Sequence, residues 1–214
     1  MKIAPSLLAA NFLNLKADID MVNESGDILH LDIMDGTLVP NISFGFSVLD
    51  QLSQSVTVPM DVHLMVVNPD KWFEKVASDG ASMCSFHLEA SGDKADGFVR
   101  RIQSLGMKAG ISINPDMPVE NLFPYIGVAD YFLIMSVFAG FGGQKFIEGT
   151  LDRVARLKAE ILKRGASTLI EVDGGINLNN AGAVRESGVD IAVAGSTVFR
   201  AGNPILTVKA LREA

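Results

Sequence analysis

Short apolar runs alternate with longer amphipathic stretches from one end of this chain to the other, and few architectures accept that rhythm. The apolar runs are Ile3–Leu8, Ile28–Asp32, Met60–Met65, Met83–His87, Ala109–Ile113, Tyr131–Met135, Leu169–Asp173 and Ile191–Ala194. They read as strands buried on both faces, since a strand with one wet face would alternate apolar with polar residues. Between them, apolar residues at helical spacing predict helices near Leu15–Glu24, Phe46–Gln54, Lys71–Ser78, Ala95–Leu105, Val119–Tyr125, Leu151–Lys163, Asn180–Ser187 and Pro204–Arg212. Gly26, Gly80, Gly106, Gly165 and Gly188 fall just past predicted helix ends, where a left-handed cap favours glycine. Such alternation implies a parallel sheet, and eight units favour a closed (β/α)8 TIM barrel over an open doubly wound sheet. A dinucleotide-binding sheet would carry G-x-G-x-x-G after its first strand, where Ala9-Ala10-Asn11-Phe12 stands instead. At 214 residues this is a lean barrel, against a typical length of about 250. Residues 1–214 are expected to form one domain.

Apolar residues make up 48% of the chain, enough for a large core without disulfides. A formal charge of −7 with no Lys/Arg cluster argues against nucleic acid or an anionic membrane as partner. It leaves open a phosphorylated metabolite, which needs only local donors. The lone cysteine, Cys84, sits in a strand-like run and reads as a small buried hydrophobe in a reducing compartment. Near the start, Pro5 and Ser6 interrupt the apolar run from Ile3 to Ala10, which fits a first strand better than a leader peptide. No stretch reaches the roughly 20 apolar residues that span a bilayer. A soluble cytoplasmic protein is the expectation.

The chemistry gathers where strands end. His30 and Asp32 lie two residues apart, so a strand puts them on one face, and Met34 continues that face. His63 and Met65 repeat the arrangement, and Asp173 precedes a Gly-Gly turn. A single strand-terminal His or Asp is usually structural. Here two of only three histidines share that context with carboxylates, and so much buried charge is costly without a compensating cation. His30, Asp32, His63 and Asp173 are therefore read together as a metal site. The loops Asp173-Gly174-Gly175-Ile176-Asn177 and Ala194-Gly195-Ser196-Thr197 follow the seventh and eighth strands, where barrels commonly bind phosphate through backbone N–H groups. Gly140-Phe141-Gly142-Gly143-Gln144, after the sixth strand, has the glycines of either a closing lid or a plain flexible connection.

Several motifs in order resemble the ribulose-phosphate 3-epimerases over nearly the whole chain. They are Ile-Ala-Pro-Ser-Leu-Leu-Ala-Ala-Asn-Phe at the start, His-Leu-Asp-Ile-Met-Asp-Gly, Val-Pro-Asn, Asp-Val-His-Leu-Met-Val, Gly-Phe-Gly-Gly-Gln-Lys-Phe, Val-Asp-Gly-Gly-Ile and Ala-Gly-Ser. The resemblance implies a barrel of the ribulose-phosphate-binding type, with one divalent ion on His30, Asp32, His63 and Asp173 and with Asp32 and Asp173 as acid and base. It further implies that Ser6 and His63 contact substrate, and that Gly140, Phe141, Gly142, Gly143, Gly174, Gly175, Gly195 and Ser196 hold its phosphate end. Met34, Met65 and Met135 would cap the reacting centre, while His87 and Glu89 are read as supporting groups.

Epimerisation at C3 of a ketose phosphate needs a weakly acidic proton removed beside a carbonyl and one returned to the opposite face, a task for two carboxylates. Zn²⁺ is the default ion for two imidazoles and two carboxylates, with Fe²⁺, Mn²⁺ and Co²⁺ as alternatives. D-ribulose 5-phosphate is the expected substrate and a homo-oligomer the expected assembly. The rivals are 3-epimerisation of a longer ketose phosphate such as D-allulose 6-phosphate, and a non-catalytic barrel that binds a phosphorylated ligand. Related barrel decarboxylases and aldolases carry a lysine in Asp-x-Lys-x-x-Asp, which Asp32-Ile33-Met34-Asp35 lacks. Two departures from the family pattern lie near the site. Thr37-Leu38 stands where His-Phe is common, and Phe138-Ala139 stands where a polar residue and proline are common, which is expected to loosen the loop.

Overall fold

A computed structural model describes residues 1–214. Eight parallel strands form one sheet: β1 (Lys2–Pro5), β2 (Leu29–Met34), β3 (Met60–Met65), β4 (Met83–His87), β5 (Lys108–Ile113), β6 (Tyr131–Met135), β7 (Leu169–Asp173) and β8 (Ile191–Ala194). From β2 to β8 each strand pairs with its sequence neighbours, β1 pairs with β8, and the β1–β2 seam is closed by an isolated bridge between Ser6 and His30. Asp27 reinforces that seam, its N–H donating to Ile3 O at 3.0 Å and its Oδ2 accepting from Ile3 N at 2.9 Å. The result is the (β/α)8 barrel expected from the alternation.

Outside the strands run α1 (Leu15–Ser25), α2 (Phe46–Leu52), α3 (Phe73–Ser78), α4 (Ala95–Ser104), α5 (Thr150–Lys163), α6 (Ala181–Glu186), α7 (Ser196–Phe199) and α8 (Pro204–Glu213). Most of the core lies between them and the sheet, where Phe98, Val99 and Ile102 of α4 and Val154, Leu157 and Ile161 of α5 are buried at helical spacing. The barrel interior differs. Its floor is apolar, with Ala4, Ile28, Met83, Tyr131, Ile191 and Val193. Above it, where branched aliphatic side chains usually fill a barrel, lie buried His30, Asp32, Asp61, His63, His87 and Glu171.

Several elements depart from expectation. β1 stops at Pro5 because the Ser6 Oγ accepts the Leu8 N–H at 3.3 Å and starts a 3₁₀ turn over Leu7–Ala9. Val119–Tyr125 is a 3₁₀ segment and not an α-helix, since Pro124 within it offers no N–H and clashes with the preceding turn. β2 continues through Met34, past the expected end at Asp32. Gly80, Gly106, Gly165 and Gly188 do adopt positive φ, but Gly26 is extended at φ −73°. Close packing explains Gly26 instead, because a Cβ there would sit 3.1 Å from Val22 and 3.2 Å from the Pro5 ring.

Candidate active site

β2, β3 and β7 each carry two ionisable residues at i and i+2, and strand geometry turns both into the barrel. His30, Asp61 and Glu171 form the deeper set; Asp32, His63 and Asp173 form the set nearer the mouth. One ligand atom from each of His30, Asp32, His63 and Asp173 lies within 4.8 Å of the others. His30 Nε2 and His63 Nδ1 are each 3.4 Å from Asp32 Oδ1, and both nitrogens are buried without a hydrogen-bond partner. Orphaned buried nitrogens are costly unless something takes their lone pairs.

The opposite ring nitrogens explain why these two point inward. His30 Nδ1 meets Asp61 Oδ2 at 2.7 Å and so keeps a proton there. His63 Nε2 meets His87 Nε2 at 2.9 Å, while His87 Nδ1 lies 3.3 Å from Glu89 Oε2. With Glu89 accepting from His87 Nδ1, His87 Nε2 accepts from His63 Nε2–H, and the lone pair of His63 falls on Nδ1. Asp32 is held as well, its Oδ2 accepting from Ser6 Oγ at 2.6 Å and its carbonyl from Ser43 Oγ at 2.6 Å. A divalent cation fits this donor set of imidazole lone pairs and carboxylates.

The titration behaviour says the same. Burial alone would lower His30, but Asp32, Asp61 and Glu171 outweigh it and hold the imidazole well above its ordinary range. The centre thus attracts positive charge, whether a proton or a metal ion. Burial depresses His63 to about 4. For Asp32, burial is overcome by His30 and His63, which push the carboxyl far below the usual range. Asp173 is driven the other way, up to about 7, by burial and by the charge of Asp32. Burial and Asp61 raise Glu171 to about 8, and neither of its oxygens has a hydrogen-bond partner.

A cavity of about 300 Å³ opens over this centre. Asp32 and Asp173 reach it, and buried Met34, Met65 and Met135 line it. Ser6, Gly140, Phe141, Gly142, Gly143, Gly174, Gly175, Gly195 and Ser196 complete the part of the wall read from sequence. His30 and His63 lie beneath. The N–H groups of Gly175 and Gly195 have no acceptor within the chain. Gly174 and Gly175 take φ of +122° and +64°, and added Cβ atoms would lie 2.5 Å from Val137 and 2.4 Å from Phe146 N.

The loop carrying Phe138-Ala139 is tied by several hydrogen bonds. The Ala139 N–H, which a proline would lack, donates to Asn114 Oδ1 at 3.1 Å. Asn41 Nδ2 donates to Gly140 O at 2.7 Å, and Gln144 Nε2 donates to the carbonyls of Phe138 and Phe141. Thr37 ties the neighbouring rim by donating to Asp35 and accepting from Val67 N, while Leu38 packs against Met34 and Met65. Sequence reasoning missed Asn41, Gln144 and Arg200 in the cavity wall. Asn41 and Gln144 stand within the quoted Val-Pro-Asn and Gly-Phe-Gly-Gly-Gln-Lys-Phe motifs, whereas nothing local marks Arg200. It also passed over Asp61 and Glu171, although each stands two residues before an assigned ligand.

Fold and site together define a (β/α)8-barrel enzyme with a carboxylate–imidazole centre at the mouth of the barrel. Comparison narrows the class. The model of the ribulose-phosphate 3 epimerase family matches residues 2–199. The ribulose-phosphate 3-epimerase of Mycobacterium tuberculosis (strain ATCC 25618 / H37Rv) is 43% identical over 213 residues, covering 98% of this chain and 91% of that one. The cytoplasmic isoform from Oryza sativa subsp. japonica is 40% identical over 216 residues, covering 99% and 93%. The chain belongs to the ribulose-phosphate 3-epimerase family. Among solved structures, a 3-hexulose-6-phosphate synthase superposes with a TM-score of 0.69 at 18% identity, covering 100% of this chain and 99% of that one, a likeness of fold.

Proposed function

We propose that this enzyme interconverts D-ribulose 5-phosphate and D-xylulose 5-phosphate by metal-dependent epimerisation at C3, with Asp32 and Asp173 as the acid–base pair. The observation that carries this reading is the meeting of two carboxyls, Asp32 and Asp173, in one ligand cluster with both reaching the cavity. In the metal-free centre His30 and His63 overcome burial and hold Asp32 far below the usual carboxylate range, while burial and the charge of Asp32 raise Asp173 to about 7. Two carboxyls beside one reacting carbon suit one to accept a proton and the other to donate.

His30, Asp32, His63 and Asp173 would hold the divalent ion, with Zn²⁺ as the default. Once bound, that ion acidifies the C3 proton by polarising the adjacent oxygens and offsets repulsion between the aspartates. Asp32, steadied by the Ser6 hydroxyl, takes the C3 proton. Asp173 returns a proton to the opposite face of the planar enediolate. Met34, Met65 and Met135 keep water from the intermediate, and the unpaired N–H groups of Gly175 and Gly195 receive the phosphate. Single-domain organisation and self-association into a homo-oligomer belong to the same reading.

Turnover of D-ribulose 5-phosphate by the zinc-loaded protein in D₂O tests it, because a two-carboxylate route places solvent deuterium at C3 of xylulose 5-phosphate. Formation of product without deuterium would refute the two-carboxylate scheme. A larger kcat/KM for D-allulose 6-phosphate would move the substrate assignment to the longer sugar. No turnover of either by protein with bound metal would favour the ligand-binding barrel.

A further inference from the structure

The barrel interior contains a buried hydrogen-bond column that this chemistry leaves unused. Tyr131, the first residue of β6, is fully buried in the apolar floor. A tyrosine hydroxyl in such surroundings needs a partner, and this one donates to Asp61 Oδ1 at 2.6 Å. The other oxygen of Asp61 accepts from His30 Nδ1 at 2.7 Å. Space for the ring comes from Gly110 on β5, where a Cβ would lie 2.3 Å from Tyr131 Cζ.

His30 has a second carboxylate within reach. Glu171 Oε1 lies 3.6 Å from the same Nδ1 and has no hydrogen-bond partner of its own. Which of the two the imidazole faces decides its ring angle, and the ring angle decides where Nε2 points. The Tyr131 hydroxyl resolves the competition. With Oδ1 occupied, the Asp61 carboxylate is fixed in rotation and presents Oδ2 to His30. Without it, Oδ1 is a buried acceptor with no donor and the Asp61 carboxylate is no longer fixed in rotation toward His30.

We propose that Tyr131 is a positioning residue, which acts through Asp61 to hold the Nδ1–H of His30 and thereby turns Nε2 toward Asp32, His63 and Asp173. Its consequence for metal rests on the reading of that centre given above; the coupling of Tyr131 to the His30 ring does not. Partners of a ligating histidine typically alter metal affinity by roughly 10–100-fold. Tyr131 acts one hydrogen bond further out, so about tenfold is expected.

Tyr131→Phe removes one oxygen and keeps the ring, and a thermal melt of the variant checks its fold. Two measurements follow, the His30 Nδ1–H resonance by ¹⁵N-edited NMR and the Zn²⁺ dissociation constant by competition with a chromophoric chelator. In the unsubstituted protein the His30 Nδ1 proton should resonate far downfield and exchange slowly, with or without zinc. In Tyr131→Phe it should move upfield and exchange faster, and zinc should bind about tenfold more weakly. An unsubstituted protein with no proton on His30 Nδ1 overturns the proposal, and needs no variant to show it. So does a folded variant in which resonance and zinc affinity are both unchanged. If zinc fails to bind the unsubstituted protein while the resonance still responds to the substitution, the metal reading falls and the Tyr131–Asp61–His30 coupling stands.

Discussion

Asp32 and Asp173 are chemically alike and electrostatically opposite. Two imidazoles face Asp32, whereas Asp173 faces mainly the charge of Asp32 and the barrel interior. Asp173→Asn preserves shape and removes the proton, so kcat should fall by at least about 10³, within the range for a general acid or base. Metal content must be measured alongside, because the same oxygen is a candidate ligand. A variant with full metal and near-normal kcat would refute the assignment. Arg200 offers a different test. It is the one cationic side chain in the cavity wall, is exposed, and has no carboxylate or hydrogen-bond partner in the chain. Arg200→Ala should raise KM for the sugar phosphate about five- to tenfold with kcat nearly unchanged, since a charge felt equally in ground and transition states affects binding alone. Steady-state kinetics at low and high salt check this, as the difference should shrink with screening.

The strands were legible because burial on both faces writes them as continuous apolar runs, and β3, β4, β6, β7 and β8 fall where the sequence placed them. Local competition obscured the rest. Ser6 ends β1 by capping a turn with its own hydroxyl, and Pro124 diverts a helical pattern into a 3₁₀ segment. The ligands were legible one strand at a time, since the period of two that pairs His30 with Asp32 also pairs Asp61 with His63 and Glu171 with Asp173. That the inner member of each pair supports the site depends on contacts such as Tyr131 with Asp61, which join residues 70 apart. In the loops, the β7–α6 turn is specified more tightly than the β8–α7 turn. Gly174→Ala would force a side chain into Val137 at φ +122°, whereas Gly195 is not in the left-handed region and its added Cβ would lie 3.2 Å from Ala9. Gly174→Ala should therefore raise KM more than about tenfold and lower stability, while Gly195→Ala should raise KM only a few-fold. Equal effects from the two, by kinetics and thermal melts, would show that the β7–α6 turn is not specially constrained.

Beside the site, the β1–β2 seam is the one the strand ladder leaves unpaired. β1 and β2 join through one isolated bridge at Ser6 and His30 and the Asp27 contacts to Ile3, and the proposed ion would tie β2 and β3 to β7 across that seam. Metal should thus act on the whole fold, and pH reveals how. Glu171 and Asp173 are raised above their unfolded values, to about 8 and about 7. Stability from their protonated forms is full below about pH 4 and lost as pH rises through those values. His30, also raised, loses its contribution in the same direction. His63 is depressed to about 4, so it costs stability only as pH falls below about 6.5, the unfolded value. Between pH 6.5 and 8 these four groups therefore produce only losses in the metal-free protein. Glu171 alone accounts for on the order of 2 kcal/mol, or about 5 °C in Tm for a chain of this size. Glu171→Gln should remove that share of the decline. Metal binding instead requires Asp173 ionised and His30 Nε2 unprotonated, so it strengthens as pH rises over the same interval. At Zn²⁺ about a hundredfold above Kd, the bound form gains about 2.7 kcal/mol. The gap in Tm between zinc-loaded and chelator-treated protein should accordingly widen from pH 6.5 to 8, and widen less in Asp173→Asn. A gap that stays constant with pH in calorimetric scans of both proteins would separate the ion from these ligands and return the buried charge to a purely structural role.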